Sequence, residues 1–251
     1  RGWTVQRPID LPKKEILMMI GADVYHKRGK ESVAAVVASI DPDFSRFVSR
    51  SCVQPKNGQE VMTNIAQTVL ELVQKFKDLN KRIPTTIVFF RDGVGKGQYE
   101  DVKRLEVGKI SHELKMQYGE QAPKLDFILV NKRINDRFYQ DGTDRNGKKC
   151  TVNPESGTIV ENHCTSDTHR DFFMVAQNVT QGTATPTHYT FLQKESSFED
   201  DTIFSMTYFQ TFNYAGWAGP VKVPAVCQHA HKLAYMIGET NKGEVHPCRE
   251  Q

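Results

Sequence analysis

Two short apolar runs, each closed by an aspartate, constrain this 251-residue chain more than any other feature. Residues 15–23 read EILMMIGAD and residues 85–93 read TTIVFFRDG. Each is a strand-sized hydrophobic stretch that delivers a carboxylate, Asp23 or Asp92, at its C-terminal end. Open α/β sheets place their ligands at that end of the strands. Neither run, nor VAAVVAS at 33–39, approaches the ~20 apolar residues of a bilayer span. No membrane association is expected.

The rest of the chain surrounds these runs with alternating elements. VAAVVAS and RFVSRSCV (46–53) read as a second and third strand, with Asp41-Pro42-Asp43 turning between them. Over residues 60–81, Val61, Ile65, Val69, Leu72, Val73 and Phe76 recur at helical spacing until Pro84 stops the pattern. After the strand at 85–90 comes a helix over 99–118, then a strand at 125–130. Residues 131–170 read as irregular, and within them 140–153 reads as a charged insertion. A strand follows at 171–178, then helices at 201–213 and 224–238. Three short-linked strands followed by αβαβ predict an α/β fold: a mixed sheet flanked by helices. Residues 1–14, with two prolines and little periodicity, read as an N-terminal arm, and 15–251 as one domain.

Hydrophobic residues at 38% and charged residues at 25% exclude wholesale disorder. The net charge of +3 is too small to establish a nucleic-acid partner by itself. Five scattered cysteines exclude a zinc ribbon and a dense disulfide framework. They fit a reducing, intracellular compartment, cytoplasmic or nuclear. The chain starts at Arg1 without a signal peptide, so a segment of a longer protein is expected.

If the strands ending in Asp23 and Asp92 are neighbours, two carboxylates face each other and require cations between them. Mg²⁺ suits such a place, being hard, oxygen-seeking and tolerant of water and phosphate ligands. Two such ions about 4 Å apart orient an attacking water and stabilise the leaving oxygen of a phosphodiester. The competing reading, that both aspartates are strand-end turn formers, is left open by the pattern.

The ordered blocks IGADVYH, FFRDGVGKGQYEDV, VNKRINDRF, QGTATPTHY and VPAVCQHAHKLAY resemble the PIWI domain of the Argonaute/Piwi family. The last block is more similar to the Piwi branch than to the Argonaute branch. The resemblance runs from about Ile16 to Gly238 and implies an RNase H-like fold. It also implies a slicing tetrad. Asp23 matches the first acid, Asp92 in RDGV the second, and Glu60 in PKNGQEV the inserting glutamate. His231 matches the fourth position. Asp23 is expected to bridge two Mg²⁺ ions, with Mn²⁺ as a substitute. Asp92 and His231 are expected to hold one ion, and Glu60 to complete the site through water. His229 is a rival, but positions 229 and 231 face different sides of a helix, so at most one enters the site.

The same resemblance implies a small guide RNA and a complementary target RNA as partners. Lys132, Arg133 and Arg137 match guide-backbone positions, and Gln181, Thr185, His188 and Tyr189 lie in a block that lines the duplex channel in relatives, with Tyr189 equally readable as a core residue. MID and PAZ domains of the same protein are expected partners outside this chain. Relatives end in a short apolar, aromatic tail that helps hold the guide 5′ phosphate. HPCREQ does not match it, so either the tail is absent or the sequence stops short of it. The implied activity is Mg²⁺-dependent cleavage of guide-paired RNA. The alternatives are a guide-binding silencing module that acts through partners without cutting, and a DNA nuclease of another RNase H-like group.

Overall fold

The computed structural model describes residues 15–41, 43–55, 58–143 and 147–240. The expected arm at 1–14 lies outside the described residues. Strands β1 (Leu17–Tyr25), β2 (Val33–Ser39) and β3 (Phe47–Val53) form an antiparallel meander. Helix α1 (Ile65–Asn80) crosses to β4 (Thr86–Asp92), which returns parallel to β1. A helical run built of α2 (Tyr99–Val102), a π turn (Lys103–Val107) and α3 (Gly108–Tyr118) leads to β5 (Lys124–Asn131), parallel to β4. Short strands β6 (Gln140–Thr143) and β7 (Lys149–Val152) pair as a separate hairpin. Strands β8 (Thr158–Val160), β9 (Asp171–Val175) and β10 (Thr187–Gln193) extend the main sheet antiparallel. Helices α4 (Asp200–Gln210) and α5 (Ala225–Thr240) close the described chain.

The main sheet has eight strands in the order β3-β2-β1-β4-β5-β10-β9-β8. The expected mixed sheet flanked by helices is what the structure contains. The central strands are buried on both faces, which is why they read as unbroken apolar runs rather than as alternations. Side chains on one face, including Ile20, Ala22, Phe89 and Phe127, pack with Val69, Leu72 and Phe76 of α1 and Ile110 and Leu114 of α3. Side chains on the other, including Leu17, Met19, Phe90 and Val130, pack with α4 and with Val226 and Cys227 of α5. Among the described residues no helix is long and apolar enough to cross a membrane.

Three expectations shift. The first helix begins at Ile65 rather than 60, which leaves Glu60 on the preceding loop. It ends at Asn80, and Lys81, with a left-handed φ of 61°, caps it before Pro84. The stretch read as irregular holds β6, β7 and β8, and the charged insertion at 140–153 is largely the β6–β7 hairpin. Buried β10 begins inside the block at 181–189, where no strand was expected, and runs past it to Gln193.

One glycine sets how closely α5 approaches the sheet. A Cβ on Gly21 would lie 2.3 Å from the Val226 carbonyl carbon and 2.5 Å from the Cys227 nitrogen. Both are backbone atoms and cannot swing aside. Gly21→Ala therefore lifts α5 off β1, and overpacking of this kind costs about 2 kcal/mol. A chemical-denaturation midpoint that falls accordingly, with the slope unchanged, checks this. An unchanged midpoint contradicts the packing.

Candidate active site

Strands β1 and β4 run parallel with Ala22 opposite Arg91, so Asp23 and Asp92 are the next residues on neighbouring strands. Strands lie about 4.8 Å apart and successive side chains alternate faces. Asp23 therefore shares a face with Gly21, and Asp92 with Phe90, which is the face that α5 covers. Both aspartates are buried. Because α5 sits directly on Gly21, the next turn of that helix overlies Asp23. His231, four residues past Cys227, sits 2.7 Å from it through Nδ1 and Asp23 Oδ2. His229, two positions earlier, rests between the rings of Phe47 and Tyr214 at 5.0 Å from each and takes no part.

Alternation sends Arg91 to the opposite face, where it is fully buried. Its Nη2 donates to the Glu60 carbonyl at 2.6 Å and to Glu60 Oε1 at 2.9 Å, and its Nε donates to Glu106 Oε2 at 3.3 Å. Burial alone would lower the guanidinium pKa. Glu106, then Glu60 and Asp23, reverse that and hold Arg91 above its ordinary value. Glu106 Oε1 also accepts the Met62 N–H at 2.8 Å, so one carboxylate grips both Arg91 and the loop that carries Glu60. The π turn places Glu106 facing the core, in keeping with the concentration of such turns at functional sites. His26 completes the clamp, with Nε2 at 2.7 Å from Glu60 Oε2 and Nδ1 at 2.7 Å from Ser32 Oγ. Gly93, with φ at +90°, leaves room there: a Cβ on it would lie 3.6 Å from Asp23 Oδ1 and 3.7 Å from Glu60 Oε1.

Asp92 meets a cation of the chain itself. Lys132 Nζ donates to Asp92 Oδ2. Burial pushes the Asp92 carboxyl up, Lys132 draws it part of the way back, and nearby Asp23 pushes it up again. Among the described residues, no three His, Cys, Asp or Glu side chains converge as a ready metal cage. The donors nevertheless suit a hard divalent ion in kind: buried carboxylates on adjacent strand ends, a third carboxylate beside them, and one imidazole.

A family model described as the Piwi domain matches residues 2–242. The chain belongs to the Piwi domain family. It is 37% identical over 246 residues to Protein argonaute-3 of Drosophila melanogaster, covering 97% of this chain and 26% of that protein. It is 35% identical over 240 residues to Piwi-like protein 1 of Danio rerio, covering 95% and 27%. Kluyveromyces polysporus Argonaute with a guide RNA superposes with a TM-score of 0.77 at 28% identity, over 87% of this chain and 26% of that one. Drosophila Piwi gives 0.75 at 27%, over 91% and 30%. The chain thus spans about a quarter of the length of the curated relatives it matches. Its eight-stranded mixed sheet is the RNase H-like fold of the Argonaute PIWI domain.

The residues expected along the RNA are scattered in this Piwi domain. Arg133 and Arg137 are exposed, and Arg137 donates to the carbonyls of Ile134 and Asp136 at 2.9 and 2.6 Å. Gln181 is exposed and Thr185 half-buried. Three positions make contacts within the domain. Lys132 turns inward onto Asp92. His188 is buried, its Nε2 2.6 Å from Asp171 Oδ2 and its ring stacked on Phe173. It borders a cleft of about 280 Å³ with Lys96, Tyr99 and His169. Tyr189 takes the core alternative, with no exposed surface and its ring stacked on Phe172 at 4.7 Å. Its parity in β10 explains this, since residues 188 and 189 point to opposite faces.

Arg91, Glu106 and His26 were given no role in the sequence reading. Strand alternation next to Asp92 was the available signal for Arg91. The π turn that aims Glu106 left none. Replacing Arg91 with Met strands Glu106 as an uncompensated buried charge, which costs about 3–5 kcal/mol. Chemical denaturation of the variant checks this, and a loss below about 1 kcal/mol contradicts the clamp.

Proposed function

We propose that this Piwi domain is the slicing centre of a small-RNA-guided endoribonuclease that cuts the guide-paired target RNA. The supporting observation is the β1–β4 register, which brings Asp23 and Asp92 side by side beneath His231. In this reading Asp23, Asp92 and His231 hold two Mg²⁺ ions, for which Mn²⁺ substitutes. Those ions would supply the charge that activates a water and stabilises the leaving oxygen of a phosphodiester.

The chain's own residues do the positioning. Asp23 and Asp92 contribute hard oxygen donors from rigid strand ends, where the geometry is set by backbone pairing rather than by side-chain freedom. His231 packs against Asp23, which fixes the ring. Glu60, held by Arg91 and His26, keeps a carboxylate beside Asp23. The products are a 3′-hydroxyl and a 5′-phosphate. Arg133, Arg137, Gln181 and Thr185 are left as the backbone-contacting set, giving affinity without reading sequence, as guide-directed recognition requires. MID and PAZ domains of the whole protein hold the guide ends, and the protein acts inside the cell, in cytoplasm or nucleus.

A second reading is a guide-binding module that silences through partners without cutting. The engagement of Asp92 by Lys132 favours it. Cleavage of a guide-paired target by the full-length protein in Mg²⁺ separates the two. The slicing reading expects Asp92→Ala to lose at least about 1,000-fold in rate, given that electrostatic groups in such sites carry several kcal/mol of transition-state stabilisation. Equal cutting by wild type and variant removes it, and silencing that survives Asp23→Ala supports the second reading.

A further inference from the structure

Lys132 follows β5 directly, and β5 pairs with β4 so that Val130 lies opposite Asp92. Residue 132 shares the parity of residue 130, so its side chain rises on the face of Asp92, whereas Arg133 points away and is exposed. The ammonium meets Asp92 Oδ2, while the stem leaves the side chain 25% exposed and Asp92 at 1%. The groups around this pair are Asp23 and His231 on the same face, Cys227 of α5 beneath it, and Arg91 on the opposite face. Arg91 gives its side-chain ion pairs to Glu60 and Glu106 and reaches Asp92 only at the backbone carbonyl, 2.5 Å from Nη1. Lys132 is thus the close cationic partner of Asp92 within the described site.

An ammonium on Asp92 Oδ2 competes with a divalent ion for the same carboxylate, because two cations brought this close in a buried site repel each other. The Lys132 stem is long, flexible and partly open to solvent, so the ammonium has somewhere to go. We propose that Lys132 is a resident competitor for the divalent cation at Asp92, displaced when the ion arrives and then free to meet a phosphate of the bound strand. This rests on the metal reading above. Its consequence is that cation binding and nucleic-acid loading favour each other, since a nearby phosphate stabilises the displaced lysine.

Mn²⁺ binding to the full-length protein without RNA, followed by electron paramagnetic resonance of the free ion, tests this in wild type, Lys132→Gln, Lys115→Gln and Asp92→Ala. Lys132→Gln is expected to bind Mn²⁺ about tenfold more tightly than wild type, because no ion pair has to be broken. Lys115→Gln, which removes an exposed charge of α3 away from the site, is expected to match wild type. Mn²⁺ affinity in Lys132→Gln that is equal to or weaker than wild type overturns the proposal. Asp92→Ala binding as well as wild type overturns the metal reading itself, so the two failures are distinguishable. A second measurement needs no variant: acetylation of Lys132 by a water-soluble ester, read by mass spectrometry, is expected to rise several-fold when Mn²⁺ saturates the wild-type protein. Labelling that Mn²⁺ leaves unchanged also overturns the proposal.

Discussion

The parallel pairing of β1 with β4 is the constraint on which the rest of the site depends. With Ala22 opposite Arg91, the register puts Asp23 and Asp92 at adjacent strand ends on one face and sends Arg91 to the other. A slip of one residue would exchange these faces and put the guanidinium where the aspartates lie. The hydrophobic flanks guard against it: Ile20 and Phe89 belong to one core cluster, Met19 and Phe90 to the other. Stability and site geometry are therefore set by the same hydrogen-bonded ladder. Gly21 adds the third dimension by letting α5 rest on the β1 backbone, which brings His231 to Asp23.

The charges gathered by this geometry explain the surrounding residues. Glu60, Glu106, Asp23 and Asp92 would repel one another if left alone, and the fold answers with two cations on opposite faces. Arg91 is sealed in and bonded to two carboxylates, so it serves as a permanent structural counter-ion. Lys132 stands at the rim with a partly solvated stem, so its charge can be withdrawn. Arginine suits the first task through its fixed fork of donors, and lysine the second through its compact charge on a flexible chain. Buried ion networks seldom add net stability over apolar packing, which makes their presence here more readily explained by the site than by the fold.

Much of this was legible in the sequence, for physical reasons that can be named. Central strands buried on both faces are unbroken apolar runs, so β1, β2, β4 and β5 stood out. Helical geometry limited the two histidines of α5 to one in the site, since positions 229 and 231 diverge by about half a turn, and the resemblance chose His231. What stayed hidden depends on contacts distant in sequence. THYTFLQ mixes polar and apolar residues without a clean alternation, so β10 was not read as a strand and Tyr189 stayed open between channel and core until its stacking on Phe172. Lys132 sits among basic neighbours whose composition left RNA and plain solvent equally open, and the resemblance pointed it at RNA. Only the β4–β5 register turns that one residue in. Glu106 is presented by a π turn, for which a helical pattern carries no signal.

The central claim is that Asp23 and Asp92 together form a divalent-cation seat. Anomalous diffraction from crystals of the full-length protein grown with Mn²⁺ measures this most directly. The account predicts a peak at coordination distance from carboxylate oxygens of both aspartates. Diffraction from well-ordered, Mn²⁺-saturated crystals that places the ion elsewhere, or shows no peak between these two side chains, would contradict it.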